Sequence, residues 1–130
     1  MAALPEKAKT LLDSPEFATI ATLNPDGQPQ LSIVWVERDG NDVLVSTILG
    51  RQKHRNLERD PKVTVLVCPK DSPYEYAEIR GTAAMSEEGG RELIDRLCTK
   101  YTGGERYAGD DGTDNVRVIV RITPTKVVIR

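Results

Sequence analysis

Two four-residue turn signals in the first third of the chain constrain its fold more than any other feature. Residues 24–27 (Asn-Pro-Asp-Gly) and 38–41 (Arg-Asp-Gly-Asn) each separate two short segments rich in apolar and β-branched residues. Proline presets the backbone of a tight turn, and glycine and asparagine tolerate its left-handed positions. Because a tight turn joins only antiparallel neighbours, these signals predict hairpins and disfavour the β-α-β alternation of a parallel sheet.

Apolar and β-branched segments predict further strands along the rest of the chain. Six strands are expected in all, at residues 17–23, 28–36, 42–48, 63–68, 74–85 and 116–122. Residues 5–13 and the segment after Ser86 place apolar side chains at helical spacing, which predicts helices beside the sheet. We therefore expect a single domain over residues 1–130 that folds as an antiparallel barrel with both faces of its strands covered.

Composition argues against several classes of function. No apolar run reaches the about 18 to 20 residues that a membrane-spanning helix needs, and the first residues lack a signal sequence, so we expect a cytoplasmic protein without a membrane partner. The formal net charge of −2 and the pI near 5.5 argue against a nucleic-acid partner, because such domains are usually basic throughout. One histidine and two distant cysteines give no metal-ligand spacing, so no metal is expected.

One basic segment stands out against this acidic balance, directly after the strand at 42–48 and Gly50. Its cationic residues are Arg51, Lys53, His54 and Arg55. A helix N-terminus offers unpaired backbone N–H groups and the positive end of the helix dipole, and cationic side chains there add attraction for an anion. The junction is a candidate site for a small phosphate-bearing ligand. The alternative is a solvated basic helix face, balanced by acidic residues farther along.

The order of these segments resembles the pyridoxamine 5′-phosphate oxidase-like split β-barrel superfamily. The resemblance covers residues 7–130 and is most specific over residues 51–61, which read Arg-x-Lys-x-Arg-Asn-Leu-x-x-Asp-Pro. Within that superfamily the chain is similar to the actinobacterial deazaflavin-dependent oxidoreductases that use coenzyme F420. The resemblance implies a mainly β (α+β) fold of the FMN-binding type, a six-stranded antiparallel split β-barrel with short flanking helices.

The resemblance also implies a cofactor site. In such proteins the basic segment holds the cofactor phosphate, the preceding strand end supplies hydroxyl donors, and the second strand runs beside the cofactor ring. The implied cofactor-binding residues are Ser32, Val34, Trp35, Ser46, Thr47, Arg51, Lys53 and Asn56. Tyr74 and Tyr76, at the mouth of the fifth strand, are candidates for lining the substrate pocket, and the alternative is that they are ordinary surface residues.

No catalytic side chain is expected. The sequence shows no Ser-His-Asp set and no acid–base pair, and hydride transfer from a reduced deazaflavin needs neither, because the cofactor carries the chemistry. The resemblance thus implies an F420H2-dependent reductase of a conjugated small molecule such as a quinone, an enone or a tetrapyrrole. It also implies a homodimer with a cofactor site in each of two clefts at the interface.

Two alternatives stay open at this point. The same cleft could serve a non-catalytic carrier of F420, FMN or a tetrapyrrole, or an FMN-dependent oxidoreductase. Oxidation of vitamin B6 itself is not expected. Residues 30–37 lack the arginine and lysine that pyridoxamine phosphate oxidases proper carry there, and residues 123–130 lack their C-terminal substrate motif.

Overall fold

The computed structural model describes residues 2–130. These residues form three helices and seven strands. The helices are α1 (Glu6–Asp13), α2 (Gln52–Arg59) and α3 (Gly90–Thr102). The strands are β1 (Ala18–Leu23), β2 (Pro29–Val34), β3 (Glu37–Asp39), β4 (Asp42–Ile48), β5 (Lys62–Val67), β6 (Ala77–Ser86) and β7 (Arg117–Ile129). None of the helices between residues 2 and 130 has both the length and the apolarity to cross a membrane.

All seven strands belong to one antiparallel sheet in the order β2-β1-β5-β6-β7-β4-β3. Its two edge strands, β2 and β3, follow each other in the chain and are joined only by Trp35 and Val36. The sheet therefore curls until its edges approach, although no ladder of hydrogen bonds joins β2 to β3. The mainly β, antiparallel class is confirmed, whereas the expected closure into a barrel is not.

The prediction of six strands was wrong because residues 37–39, expected to lie between the second and third strands, form a short strand of their own, whereas the expected second strand, 28–36, ends at Val34. After Val34 the chain leaves β1, and the N–H of Val36 donates to the hydroxyl of Tyr101 at 3.1 Å. The carbonyl of Val36 accepts from the Lys100 ammonium at 2.6 Å. Groups on α3 thus replace the strand pairing, and the chain then turns back as β3, which pairs with β4.

The core lies inside the curled sheet. Val45, Val65 and Val120, from three different strands, are fully buried, and α1 covers one end of the same cluster with Leu12. Each buried side chain of this kind contributes about 1.5–3 kcal/mol. A second cluster joins Leu93 and other apolar residues of α3 to β4, which fixes that helix beside the ends of β4 and β7.

Two of the boundaries that differ from the sequence prediction have a clear structural reason. The fifth predicted strand begins at Ala77 rather than at residue 74, because residues 72–75 form a turn closed by a bond from Glu75 N–H to Ser72 O. The third helix begins at Gly90 rather than next to Ser86, which still pairs as the last residue of β6. A Cβ at Gly90 would clash with the carbonyl of Arg117, so only glycine lets α3 start this close to β7.

Candidate functional site

The junction between β4 and α2 is a tight, left-handed turn. Gly50 has φ of 86°, a conformation that side chains disfavour, and its N–H donates to Nδ1 of His54 at 3.2 Å. The guanidinium of Arg55 donates to the Gly50 carbonyl at 2.7 Å. Among residues 2–130, no side chain caps the first turn of α2, so its leading N–H groups stay open to a ligand.

His54 does not act with Arg51, Lys53 and Arg55, the cationic residues with which the sequence groups it. Its side chain is buried, and Nδ1 lies 3.6 Å from the Glu58 carboxylate. His54 and Leu57 lie three residues apart on the buried face of α2. The histidine therefore fixes the turn at Gly50 instead of offering a charge to a ligand.

A cavity of about 380 Å³ lies at this junction. It is bounded by the ends of β2 and β4, the start of β7 and the first turn of α2, with one side chain of α3. The lining residues are Gln30, Ser32, Ile33, Val34, Trp35, Ser46, Thr47, Ile48, Arg51, Gln52, Lys53, Leu97 and Arg117. We call it the junction cavity. Its walls bring together the sequence-predicted cofactor residues of β2, β4 and α2 except Asn56.

Asn56 lies behind the junction cavity and is fully buried. Its amide donates to Thr22 Oγ1 and to Asn24 Oδ1, both at 3.0 Å, and its carbonyl oxygen accepts from Gln52 at 2.7 Å. Asn56 thus ties α2 to β1 and orients Gln52, which does line the cavity. In this arrangement its contacts are structural.

The two tyrosines predicted to line a substrate pocket are not brought to the junction cavity. Tyr74 is 87% exposed on the turn before β6. The hydroxyl of Tyr76 lies 3.4 Å from Nε of Arg130, at the C-terminal end of the chain. Neither lines the cavity at the β4–α2 junction.

Three cations converge on the junction cavity. Burial lowers the pKa of Lys53, and the nearby charges of Arg51 and Arg117 lower it further. The positive charge of Lys53 is therefore partly removed from water and repelled by its two cationic neighbours. A bound anion would offset both costs, which is the arrangement expected of a phosphate or carboxylate site.

Arg117 is a cavity residue that the sequence analysis did not single out. Its guanidinium is almost buried and forms a fork with Asp110, with Nε–Oδ2 and Nη2–Oδ1 distances of 2.7 and 3.0 Å. It stacks 4.9 Å from the ring centre of Tyr107, and Nη1 lies 3.4 Å from Ser46 Oγ. The same ion pair lowers the pKa of Asp110. Because Asp110 balances the charge of Arg117, this guanidinium adds little net charge to the cavity. Its main contribution is a hydrogen-bond donor in a fixed position.

Strand register explains why Arg117 reaches this site. β7 pairs with β4 so that Arg117 stands opposite Ile48, two residues before Gly50. In the sequence, Arg117 reads only as an outward-facing residue of the last strand. The one available signal was its place at the start of that strand, and it becomes informative only once the pairing of β7 with β4 is known.

The wall of the junction cavity that β2 contributes carries the polar side chains of Gln30 and Ser32 beside the apolar Val34. Ser32 Oγ is buried and has no hydrogen-bond partner within residues 2–130. It lies on the same edge strand as Val34, which Trp35 follows directly. A polar group without a partner is costly, so Ser32 is suited to meet a polar atom of a ligand. Cations at the β4–α2 junction, together with apolar side chains and a free hydroxyl from β2, fit a planar ring system that carries a phosphate.

Comparison with known proteins agrees with this geometry. A sequence profile of the family described as pyridoxamine 5′-phosphate oxidase matches residues 4–129. The chain belongs to this family. It is similar to a solved structure of an F420 reductase, with 31% sequence identity and a TM-score of 0.83. The match covers 96% of this chain and 98% of the F420 reductase. The conserved hypothetical protein Rv2991 from Mycobacterium tuberculosis is 26% identical, with a TM-score of 0.77, over 98% of this chain and 84% of its own.

These findings confirm the sequence-based resemblance to the pyridoxamine 5′-phosphate oxidase-like superfamily and its F420 branch. They also support an oxidoreductase fold of the flavin or F420 type for this family member. The family match spans both the β4–α2 junction and the start of β7, so it includes every residue of the junction cavity.

Proposed function

We propose that this protein is an F420H2-dependent reductase that passes a hydride to a conjugated small molecule. The observation that carries the proposal is the junction cavity, whose lining brings three cationic side chains together with the apolar Val34 and Trp35. The 31% identity to an F420 reductase over nearly the whole chain supports it.

Each side of the cavity has a part in this proposal. Arg51 and Lys53 would hold the cofactor phosphate, with hydroxyl donors from Ser46 and Thr47. The wall around Trp35 would lie against the ring and exclude water from it. When bound, reduced F420 supplies the hydride, and the protein contributes position, a dry surface and electrostatics.

A groove beside the junction cavity supports F420 over FMN. It is an open depression of about 620 Å³ near the turn at residues 24–27, and it shares Gln30 and Gln52 with the cavity. Arg55 lies along it. F420 continues beyond its phosphate as a lactyl-oligoglutamate tail, whereas FMN ends at its phosphate. Arg55 would therefore meet tail carboxylates that only F420 has, although Asp26 on the same groove limits the gain.

We propose that the functional unit is a homodimer. The outer face of β2, β1 and β5 exposes Leu31 (63%), Ile33 (67%) and Leu66 (36%). In the register of the sheet, Ile33 and Leu66 lie on either side of Thr19, so these exposed apolar side chains share one face of the sheet. A second copy covering it would lie next to the junction cavity, because Ile33 also lines that cavity.

The direct test is oxidation of F420H2 by the purified protein, followed by the return of F420 absorbance. We expect oxidation that depends on a quinone, an enone or a tetrapyrrole and is slow with oxygen alone. The Arg51→Ala variant should lose most of this activity at low F420H2. If wild-type protein binds F420 but oxidises F420H2 with no member of the panel, the carrier alternative replaces the reductase.

A further inference from the structure

Asp110 brings a negative charge up to the junction cavity without lining it. Its carboxylate accepts from Nε and Nη2 of Arg117, which does line the cavity. The third guanidinium nitrogen, Nη1, lies 3.4 Å from the hydroxyl of Ser46, another lining residue. Nη1 is therefore the nitrogen of Arg117 that is left to a ligand, and a carboxylate stands on the other side of the guanidinium.

Water screens this carboxylate only weakly. The side chains of Asp110 and Arg117 are 8% and 11% exposed. The amide of Asn115 donates to Oδ1 of Asp110 at 3.0 Å, which holds the carboxylate in place. Charges that are removed from water interact more strongly, and over longer distances, than charges on an open surface. A charged ligand in the junction cavity would therefore interact with Asp110 as well as with Arg117.

A second arginine near Asp110 does not cancel its charge. Arg91 lies 3.5 Å from the carboxylate, but its side chain is 40% exposed and its shorter ion pair, 2.9 Å, is with Asp95. The single charge of Asp110 thus balances the single charge of Arg117. The net positive charge that the cavity offers to a ligand comes from its other two cations, Arg51 and Lys53.

The net charge of the cavity matters because phosphate groups differ in charge. A phosphomonoester such as FMN has a second pKa near 6 and carries almost two negative charges at neutral pH. The phosphate of F420 is a diester, because it joins the rest of the cofactor to the lactyl group, and it carries one. Coulomb energy scales with the charge of the ligand, so a carboxylate behind the site disfavours the monoester about twice as strongly as the diester.

We infer that Asp110 is a specificity-determining residue of the junction cavity and makes it select a phosphodiester monoanion over a phosphomonoester dianion. The inference rests on the proposed function and deepens it, since F420 and FMN differ in this respect. It is separate from the contribution of Arg55, which concerns the tail carboxylates and not the phosphate. Asp110 acts through Arg117 and through its own charge, without touching the ligand.

The test compares FMN with its phosphate methyl ester, which has the same ring and ribityl chain and one negative charge fewer. Both are titrated into wild type and Asp110→Asn at pH 7.5, with the fluorescence of Trp35 as the readout. Asparagine keeps the size of the side chain and removes its charge, so Asp110→Asn should tighten FMN relative to the methyl ester by about three- to tenfold. A loosened loop would weaken both ligands together and leave this ratio unchanged.

Two control variants separate the charge of Asp110 from its structural role. Asp111→Asn removes the neighbouring carboxylate, which pairs with Arg106 on the open surface, and should leave the ratio at its wild-type value. Asp110→Asn/Arg117→Gln removes one charge of each sign. Its ratio should return to that of wild type, although both ligands should bind more weakly than to wild type.

The inference and the proposed function can fail separately. The predicted change of ratio in a protein that oxidises F420H2 with no acceptor would support the inference and reject the reductase. A ratio that is the same in wild type and Asp110→Asn would overturn the inference even in an active reductase. An equal change of ratio in Asp111→Asn would also overturn it, as would the absence of saturable FMN binding to Asp110→Asn.

Discussion

The ion pair between Asp110 and Arg117 gives the sharpest test of how the cavity is built. We expect Asp110→Ala to lower the free energy of unfolding by about 2–3 kcal/mol, because it leaves an almost buried guanidinium without its carboxylate. Asp110 also accepts from the side chain of Asn115 at 3.0 Å and lies 3.5 Å from Arg91, so the loop before β7 loses its anchor as well. For a domain of this size the loss corresponds to a fall in Tm of about 7–11 °C.

The assay is thermal unfolding followed by circular dichroism at neutral pH. Asp111→Ala is the matched control, because the neighbouring carboxylate pairs with Arg106 on the open surface and its removal should change Tm little. In the double variant Asp110→Ala/Arg117→Ala, the loss should be smaller than the sum of the two single losses, since no charge is left unpaired. Equal Tm values for Asp110→Ala and Asp111→Ala would refute the reasoning.

The pH dependence of this pair has a definite sign. Arg117 holds the pKa of Asp110 below its usual value, so the folded state binds this proton less readily than the unfolded state does. The stability that Asp110 contributes is therefore present above the ordinary pKa of an aspartate and is lost as the pH falls through the depressed value. The Tm difference between wild type and Asp110→Ala should shrink in acid.

Three further predictions concern the ligand and the assembly. Arg51→Ala or Lys53→Ala should each weaken F420 binding by about one to two decades, with an affinity that falls as salt rises, whereas Lys126→Ala at the far end of β7 should not. F420 affinity in wild type should fall as the pH rises through the depressed pKa of Lys53, and Lys53→Arg should abolish that fall; titrations across alkaline pH check both. Light scattering should give twice the chain mass of 14.4 kDa for wild type and the chain mass for Leu31→Glu, and a wild-type monomer at micromolar concentration would contradict the dimer.

Much of the sheet could be predicted because its signals are local. The turn at 24–27 joins the two strands that it was expected to join. The turn at 38–41 leads into β4 as expected, but the strand that it pairs with β4 is the short β3 rather than the predicted strand 28–36. The break between β2 and β3 could not be predicted, because the groups that replace the strand pairing at Val36 come from Lys100 and Tyr101, more than sixty residues away. The exposure of Ile33 could not be predicted either, since alternation alone does not say which face of a strand is inside.

The candidate site divides in the same way. Arg51 and Lys53 could be predicted because a strand, a glycine and a basic helix start lie together in the sequence. Arg117 could not, because only the pairing of β7 with β4 brings it to the cavity, and the role of Asp110 in holding it follows from that position. The burial of His54 could have been predicted from its three-residue spacing from Leu57, which puts both on one face of α2. The charged residues around His54 led instead to its grouping with the basic residues.

The most direct test of the central claim is a parallel titration of wild-type protein with F420 and with FMN at the same salt concentration. Trp35 lies in the wall of the junction cavity, so its fluorescence should report binding of either cofactor. We predict saturable binding of one F420 per chain, tighter than that of FMN, and weakened in Arg51→Ala and Lys53→Ala. FMN binding as tight as or tighter than F420 binding, or F420 binding that both variants leave intact, would contradict it.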